Sequence, residues 1–388
     1  MTLALLAFSA TLLIATLVSD LAERSVISTA VIFLVAGFVL GPSVLDLFRI
    51  PPREGYASTS AEVALLTILF TDGLRITRRD LRSGGSLAAR ALLVGMPLTL
   101  FLTALAARLL LHLGWIDALL VGTALSPTDP VFAAAVIGRE EVPQRVRSML
   151  NVESGVNDGI ALPVILWLIG LDGGAGESLP HTLFGVAAGI AVGVCLPAIS
   201  IALEKSRFFA AAKHYEPLHV LADGLLVFAV TAMLHLNPFL GIFAAGVTIA
   251  LRSPGLAHRF GRFGELLAEL AKLGAVMVLG ALITPDLFEH MPARGYLFAA
   301  VALVAVRPLA LLLAGVRLRP REFATVAWFG PKGFSSILYG IFLVHVRNGP
   351  FLLSLVALTV ALSIVAHSST DVLVSRLFHG RAPAGERA

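Results

Sequence analysis

Acidic, amide and hydroxyl side chains are concentrated in one apolar stretch of the sequence, residues 151–159. If this stretch is helical, Ser154 and Asp158 are four residues apart and share one face of the helix. Glu153 and Asn157 are also four residues apart, and they lie on the adjacent face. One helix therefore presents two different polar surfaces, and each surface needs partners inside the protein.

Asp158 lies well inside the apolar segment that begins near Ser148. At the rise of an α-helix it is about 15 Å from that end, which is roughly the centre of a bilayer. An ionised carboxylate is costly at that depth, so intramembrane acids usually belong to an ion path or a proton relay. We therefore expect Asp158 to bind a proton or a cation. The alternative is a neutral group with a structural hydrogen bond.

Two other apolar stretches are interrupted in the middle by residues that a lipid-facing helix avoids. One contains Ser-Pro-Thr-Asp-Pro at residues 126–130, and the other contains Gly-Pro-Lys-Gly at residues 330–333. Proline breaks the helical hydrogen-bond ladder, and irregular backbone at membrane depth occurs where it lines a protein cavity. Asp129 and Lys332 fall at a depth similar to that of Asp158. We expect two discontinuous helices, the alternative being two ordinary proline kinks.

Three further polar residues lie in apolar segments. Asp72 is expected either to line an inner vestibule or to sit at the membrane interface. Arg307 lies well inside its segment and needs a buried anion, for which Glu153 is the natural candidate. His367 lies near the end of the last apolar segment, without the spacing of metal ligands, and is expected at the interface.

The composition places all of these residues in a membrane protein. Apolar residues make up 57% of the 388 residues and charged residues only 14%, whereas about a quarter of a soluble protein is charged. The single cysteine excludes an internal disulfide and a cysteine metal cage. The net charge of +4 does not indicate a nucleic-acid partner. Phosphate-binding loops, zinc-protease motifs and nucleophile elbows are absent from the sequence.

The pattern of apolar segments predicts an all-α polytopic membrane protein with about thirteen transmembrane helices, twelve being the main alternative. We treat residues 1–388 as a single integral-membrane transporter domain. The predicted spans are residues 2–18, 26–45, 58–75, 86–111, 115–137, 148–169, 181–203, 217–235, 238–251, 263–284, 293–316, 322–345 and 350–374.

Lysine and arginine residues are concentrated in every second loop between the predicted spans, and basic loops face the cytoplasm. This pattern predicts a multi-pass protein of the cytoplasmic membrane with its N-terminus outside and its C-terminus inside. No basic residue precedes the first span, so we expect that span to be retained rather than cleaved as a signal peptide. The two interrupted spans, the fifth and the twelfth, run in opposite directions. That arrangement is typical of inverted-topology repeats whose discontinuous helices cross at the midplane.

Two motifs together resemble a known family. Ser-Pro-Thr-Asp-Pro at residues 126–130, followed by Glu-Ser-x-x-Asn-Asp at residues 153–158, is similar to the paired signature of the first subfamily of monovalent cation:proton antiporters. That subfamily includes prokaryotic sodium/proton antiporters and animal sodium/hydrogen exchangers. The order of the motifs, their separation and the thirteen-span layout all agree, so the resemblance covers the whole chain.

The resemblance implies a role for each residue of the two motifs. Asp158 would bind either the cation or the proton, and Ser154 and the backbone of Thr128 would be further ligands of Na+. Asn157 would support the crossing of the discontinuous helices. Asp129 would balance the charge of the half-helix ends there.

The resemblance also implies that Glu153 and Arg307 form a buried ion pair. Asp72 falls where prokaryotic relatives often have a glutamate that reaches the ion, and its shorter side chain puts direct coordination in question. The segment around Lys332 departs from the common Gly-Leu-Arg-Gly pattern, since it keeps the positive charge but adds a proline. Lys332 is therefore expected to supply the charge of the second discontinuous helix.

For the whole protein, the resemblance implies a homodimer without a cofactor. A moving, ion-binding core would consist of the helices in residues 86–169 and 293–374, and the remaining helices would form the dimerisation scaffold. The substrates would be H+ and a monovalent cation, Na+ or else Li+ or K+. Such a protein contributes to pH homeostasis and is not an enzyme.

The expected function is exchange of Na+ for H+ by alternating access. Because Asn157 cannot carry a second proton, we expect electroneutral one-to-one exchange, unless Lys332 joins the cycle as a proton carrier. A K+/H+ antiporter is the nearest alternative. An intramembrane aspartyl protease using Asp129 and Asp158 would be a different class, but its typical Gly-x-Gly-Asp context is absent. A cation channel would normally build its filter from several subunits.

Overall fold

The computed structural model describes residues 2–19, 29–48, 55–78, 85–129, 142–171, 178–206, 212–285, 289, 291–344, 346 and 348–376. Regular secondary structure in these ranges is entirely helical. The helices are α1 (Thr2–Leu17), α2 (Thr29–Leu40), α3 (Gly55–Arg75), α4 (Gly85–Arg90, Ala91–Gly95 and Met96–Leu111), α5 (Trp115–Ala124), α6 (Gln144–Leu171), α7 (Leu179–Glu204), α8 (Glu216–Met233), α9 (Pro238–Arg252), α10 (Pro254–Leu282), α11 (Ala293–Val301, Ala302–Val306 and Arg307–Leu313), α12 (Pro320–Trp328), α13 (Phe334–Leu343) and α14 (Gly349–Arg376).

Each predicted span overlaps a helix of the structure. Six helices of the described chain, α4, α6, α7, α8, α11 and α14, are long and apolar enough to cross a membrane. The total of thirteen crossings and the orientation of the termini stay predictions. Among the helix starts, the largest difference is at α10, which begins at Pro254 rather than at residue 263. Proline is favourable in the first helical turn, and the added turns carry Arg259 and Arg262, which an apolarity criterion excludes.

The two predicted interruptions are breaks in helical structure. α5 ends at Ala124, and the chain from Ser126 to Asp129 is not helical. α12 ends at Trp328, and α13 begins only at Phe334. A proline lies in each break, and it removes an amide that a continuous helix would need. The second half of the predicted fifth span, from residue 130 to residue 137, lies outside the described residues.

Two long helices, α4 and α11, each contain a single π-helical turn. The turns are Ala91–Gly95 and Ala302–Val306, and each is followed within two residues by a proline, Pro97 or Pro308. A wider turn accommodates the proline ring and its missing amide within a helix that continues. These helices belong to the fourth and eleventh predicted spans, seven spans apart like the two breaks, which supports an internal repeat.

The helices pack in two sets. In one set α2 lies against α10, and α9 packs against α3, α7 and α8. In the other, α4 packs against α5 and α11, and α13 against α14. α6 and α13 both contact α3, so the sets meet there. α3 can approach α9 closely because Gly73 and Gly246 face the partner backbone, where a Cβ would overlap a carbonyl oxygen. This contact positions the neighbouring Asp72 at the junction of the two sets.

Candidate ion-binding site

The two breaks in helical structure touch each other through their backbones. The amide of Asp129 donates a hydrogen bond to the carbonyl of Pro331 at 2.9 Å. The backbone amide of Lys332 donates to the Ser363 hydroxyl of α14 at 2.7 Å. These two backbone amides, which the interrupted helices cannot satisfy internally, are thus paired across the crossing and with α14, as buried polar groups require.

Two buried charges stand at the ends of the half-helices. Lys332 Nζ lies 3.4 Å from the Ser126 carbonyl oxygen and 3.3 Å from that of Pro127, just beyond the C-terminal end of α5. The Asp129 carboxylate lies against Gly333, the residue that precedes α13, where a Cβ would overlap it. A helix carries partial negative charge at its C-terminus and partial positive charge at its N-terminus. The cation and the anion therefore each face the complementary helix end.

The Asp158 carboxylate lacks full hydrogen bonding. Asp158 is 4% exposed, and its Oδ1 has no hydrogen-bond partner in the part of the chain that the structure describes. The Ser335 hydroxyl bonds to the carboxylate. The Tyr339 hydroxyl donates to the backbone carbonyl of Asp158 at 2.6 Å. One face of α13 thus holds Asp158 and leaves a carboxylate oxygen available to a ligand.

Asn157 links α6 to the first break. Its Nδ2 donates to the Thr128 hydroxyl at 2.9 Å and lies 3.4 Å from the Thr128 carbonyl oxygen. Its Oδ1 is buried and has no partner among the described residues. On the face of Asp158, Ser154 donates its hydroxyl proton to the Leu150 carbonyl at 2.7 Å. The helix that carries Asp158 thus also carries the polar side chains of Ser154 and Asn157, and Asn157 joins it to the first break.

Glu153, on the adjacent face of α6, is fully paired. Its two carboxylate oxygens accept from Nη1 and Nη2 of Arg307 at 2.7 and 3.0 Å. Nε of Arg307 donates to the Val326 carbonyl at 3.0 Å, near the end of α12. Both side chains of the pair are about 5% exposed. One guanidinium therefore joins α6, α11 and α12, and no carboxylate oxygen of Glu153 is left over for a cation.

Asp72 is buried at 6% exposure, so of the two expected positions the structure favours the interior. It lies 3.7 Å from Nη1 of Arg75, whose Nη2 is 3.2 Å from the Glu265 carboxylate of α10. Arg75 and Glu265 are both more than a third exposed. Asp72 also interacts electrostatically with Asp129. Asp72 thus interacts with Asp129 at the crossing on one side and with the more exposed pair of Arg75 and Glu265 on the other.

The sequence interpretation missed several polar contacts around the site. Ser335 and Tyr339 carry no motif, although their spacing of four residues places them on one helical face. The expectation that His367 lies at the interface is wrong, because this side chain is 1% exposed. Trp328 is the last residue of α12. The Nε2 atom of His367 is 2.9 Å from the Trp328 carbonyl oxygen, and the two rings pack against each other. His367 thus supplies a hydrogen-bond partner to a carbonyl at the C-terminal end of α12, where the helix itself supplies none.

A family model described as the transmembrane part of the sodium/hydrogen exchangers matches residues 9–375. The chain belongs to this family. Among curated relatives, the K(+)/H(+) antiporter NhaP of Alkalimonas amylolytica is 28% identical over 345 residues, and NhaP2 of Shewanella oneidensis is 24% identical over 347 residues. These alignments cover 85% of this chain and 58% of each relative. The chain thus spans little more than half the length of the curated relatives it matches.

The solved structure of the sodium proton antiporter MjNhaP1 from Methanocaldococcus jannaschii at pH 8 has the same fold. The match covers 98% of this chain and 99% of that chain, with a TM-score of 0.82 and 19% sequence identity. The predicted family and the all-helical, polytopic fold are therefore confirmed. The family is described as sodium/hydrogen exchangers and the matched structure as a sodium proton antiporter, which are transporters rather than enzymes.

Proposed function

We propose that this chain exchanges Na+ for H+ across the cytoplasmic membrane by alternating access. The observation that carries the proposal is the Asp158 carboxylate. It is buried beside two interrupted helices, and one of its oxygens has no partner among the described residues. Such a group binds whatever small cation can reach it.

Competition for one carboxylate couples the two ions. An ionised carboxylate in a low-dielectric interior is costly, and either a proton or a metal cation removes that cost. Only one of them can occupy the carboxylate oxygen at a time. If the core moves only when Asp158 is neutralised, each proton that crosses in one direction is matched by a cation that crosses in the other.

The proposed Na+ ligands are oxygen atoms from both sides of the crossing. They are the Asp158 carboxylate, the Ser154 hydroxyl and the Thr128 carbonyl. We add the Ser335 hydroxyl to this set because it bonds to the Asp158 carboxylate. Hard cations prefer several oxygen ligands. Asn157 and Asp129 hold the crossing in place, and Asp72 acts on the ion electrostatically rather than as a ligand because its carboxylate faces Arg75.

The two sets of packed helices support a division into a moving core and a scaffold. We assign residues 86–169 and 293–374 to the core and the remaining helices to the scaffold, through which the protein forms a homodimer. The Glu153–Arg307 pair lies wholly inside the core, so it would keep α6, α11 and α12 together during the movement. The N-terminus is placed outside and the C-terminus in the cytoplasm, and the protein would serve pH homeostasis.

The test is proton flux in proteoliposomes. A proton gradient is imposed, and its dissipation is measured on adding Na+, Li+ or K+ salts to the wild type and to Asp158→Asn. We expect Na+ and Li+ to release the gradient only in the wild type. Gradients unaffected by all three cations, or released equally by both proteins, would contradict the proposal.

A K+/H+ antiporter is the second candidate. The observation in its favour is that the curated relatives at 28% and 24% identity are named as K(+)/H(+) antiporters, while the structural match is named as a sodium proton antiporter. The same proteoliposomes separate the two candidates. A response to K+ that exceeds the response to Na+ at equal concentration would replace Na+ by K+ in the proposal and leave the role of Asp158 unchanged.

A further inference from the structure

Three helices of the scaffold set, α3, α7 and α9, end close together and enclose an open cleft of about 370 Å3. This cleft is remote from Asp158 in the chain and shares no residue with the ion-binding site. It is lined by three basic and three apolar residues, Arg78, Lys205, Arg252, Ala198, Ile201 and Ala202.

The cleft carries an excess of positive charge. None of Arg78, Lys205 and Arg252 forms an ion pair with a carboxylate in the described ranges. The neighbouring acidic residue, Glu204, faces His219 instead. Each helix C-terminus supplies only about half a negative charge. Three full positive charges therefore exceed what the ends of α3, α7 and α9 can neutralise, and the cleft favours an anion.

The apolar side of the cleft continues into a surface that faces away from the protein. Ala202 forms part of the wall and is exposed. Its neighbours around α7, Ile199 three residues before it and Leu203 one residue after it, are 55% and 50% exposed. A free inorganic anion would occupy the basic side and leave this wall uncovered. A ligand with a phosphate head and an alkyl tail would cover both.

The position of the cleft fits the same ligand. α3, α7 and α9 correspond to the third, seventh and ninth predicted spans, and the charge pattern of the sequence places their C-terminal ends at the cytoplasmic face. Anionic phospholipids give that face of a membrane its negative potential, and basic pockets between transmembrane helices bind their head groups. We propose that this cleft binds the phosphate head group of an anionic phospholipid, with an acyl chain along α7.

A bound lipid would connect three helix ends. Lys205 belongs to α7 and Arg252 to α9, while Arg78 follows α3 and already donates from Nη2 to the Leu251 carbonyl at 3.0 Å. A phosphate bridging these groups holds α3 against the other two helices at one end. The scaffold is then more stable with anionic lipid than without it.

The test compares lipid binding by the full chain and by matched variants. Lys205→Gln combined with Arg252→Gln removes two of the three charges and leaves Arg78 with its backbone contact. Arg262→Gln is the control, since Arg262 is an exposed basic residue of α10 outside the cleft. Binding of phosphatidylglycerol and of phosphatidylcholine to delipidated protein is measured by native mass spectrometry, with thermal unfolding as the second measurement.

We expect phosphatidylglycerol to bind and stabilise the wild type and the control, and phosphatidylcholine to bind more weakly. The double variant should bind phosphatidylglycerol about fivefold more weakly for each charge removed. Equal binding by all three proteins would overturn the proposal. So would inorganic phosphate that displaces the lipid at millimolar concentration, which would indicate a site for free anions. A double variant with altered oligomeric mass but unchanged lipid binding would identify the cleft as a contact between copies of the chain, which also overturns the proposal.

Discussion

Glu153 and Asp158 lie on the same helix, α6, and are almost equally buried, at 5% and 4% exposure. Their partners differ. Both oxygens of Glu153 are paired with one guanidinium of Arg307, whereas Oδ1 of Asp158 has no partner among the described residues. Burial alone therefore does not distinguish a structural carboxylate from an ion-binding one. The distinction lies in whether the protein itself neutralises the charge.

A carboxylate that is paired with a cationic side chain, as Glu153 is, holds helices together and keeps its charge through a transport cycle. A carboxylate without such a partner, as Asp158 is, needs a proton or a cation from solution, and its charge changes when one of them binds. The two faces of α6 thus separate the rigid part of the core from the part that responds to ions. Substitutions that alter either carboxylate or its partners therefore test this difference.

The largest expected effect is at Asp158. Asp158→Asn should abolish cation-driven proton flux, because an amide neither releases a proton nor offsets a bound cation. Its unfolding temperature in detergent should equal or exceed that of the wild type, since the substitution removes an uncompensated buried charge. Asp158→Glu keeps the charge but moves it by one methylene, so it should retain weak activity. Substantial flux in the Asn variant would rule out a single-carboxylate mechanism.

The next effect is at the paired carboxylate. Glu153→Ala and Arg307→Ala should each lower the free energy of unfolding by about 3 to 5 kcal/mol, because each leaves an uncompensated buried charge. Arg307→Ala should cost more, since Nε also bonds to the Val326 carbonyl of α12. The double variant should cost less than the sum of the single variants. Thermal or denaturant unfolding in detergent measures all three, and strict additivity would mean that the ion pair contributes nothing as a pair.

A smaller effect concerns the voltage dependence of transport. Asn157 has no proton to exchange, and both carboxylate oxygens of Glu153 are paired with Arg307. One carboxylate of α6, that of Asp158, therefore remains to exchange one proton for one cation. Transport by Na+-loaded liposomes should then be independent of a membrane potential imposed with K+ and valinomycin. Rates that follow the potential would show that a second charge moves. If Lys332→Gln then removed the voltage dependence, Lys332 would be the second proton carrier.

The smallest effect is at Ser335, which bonds to the Asp158 carboxylate. Ser335→Ala should raise the cation concentration for half-maximal flux about fivefold, as expected for one hydrogen bond of about 1 kcal/mol. Ser336→Ala is the matched control, because the next hydroxyl on α13 has no hydrogen-bond partner in the described chain. Equal behaviour of the two variants would remove Ser335 from the proposed ligand set.

The parts that sequence could predict are those carried by local patterns. Spacing of four residues separated the two faces of α6, and the prolines at Pro127 and Pro331 indicated both breaks. The partner of Arg307 followed from the cost of an unpaired buried cation, which left few acidic candidates at that depth.

The parts that sequence could not predict depend on which helices touch. Ser335, Tyr339 and His367 are common residues in an apolar segment, and none has a spacing that indicates a site. Tyr339 matters because α13 packs beside the Asp158 backbone. His367 matters because α12 ends at Trp328 inside the protein and its carbonyl needs a donor. Only the tertiary arrangement shows either need.

If a proton and a cation compete for the Asp158 carboxylate, binding of the cation must release a proton. Purified protein in weakly buffered detergent solution is titrated with Na+ while the pH is recorded, with choline as the control salt. We expect the wild type and Ser336→Ala to release up to one proton per bound Na+, and Asp158→Asn to release none. Release of the same number of protons by Asp158→Asn, or Na+ binding by the wild type without proton release at any pH, would contradict it.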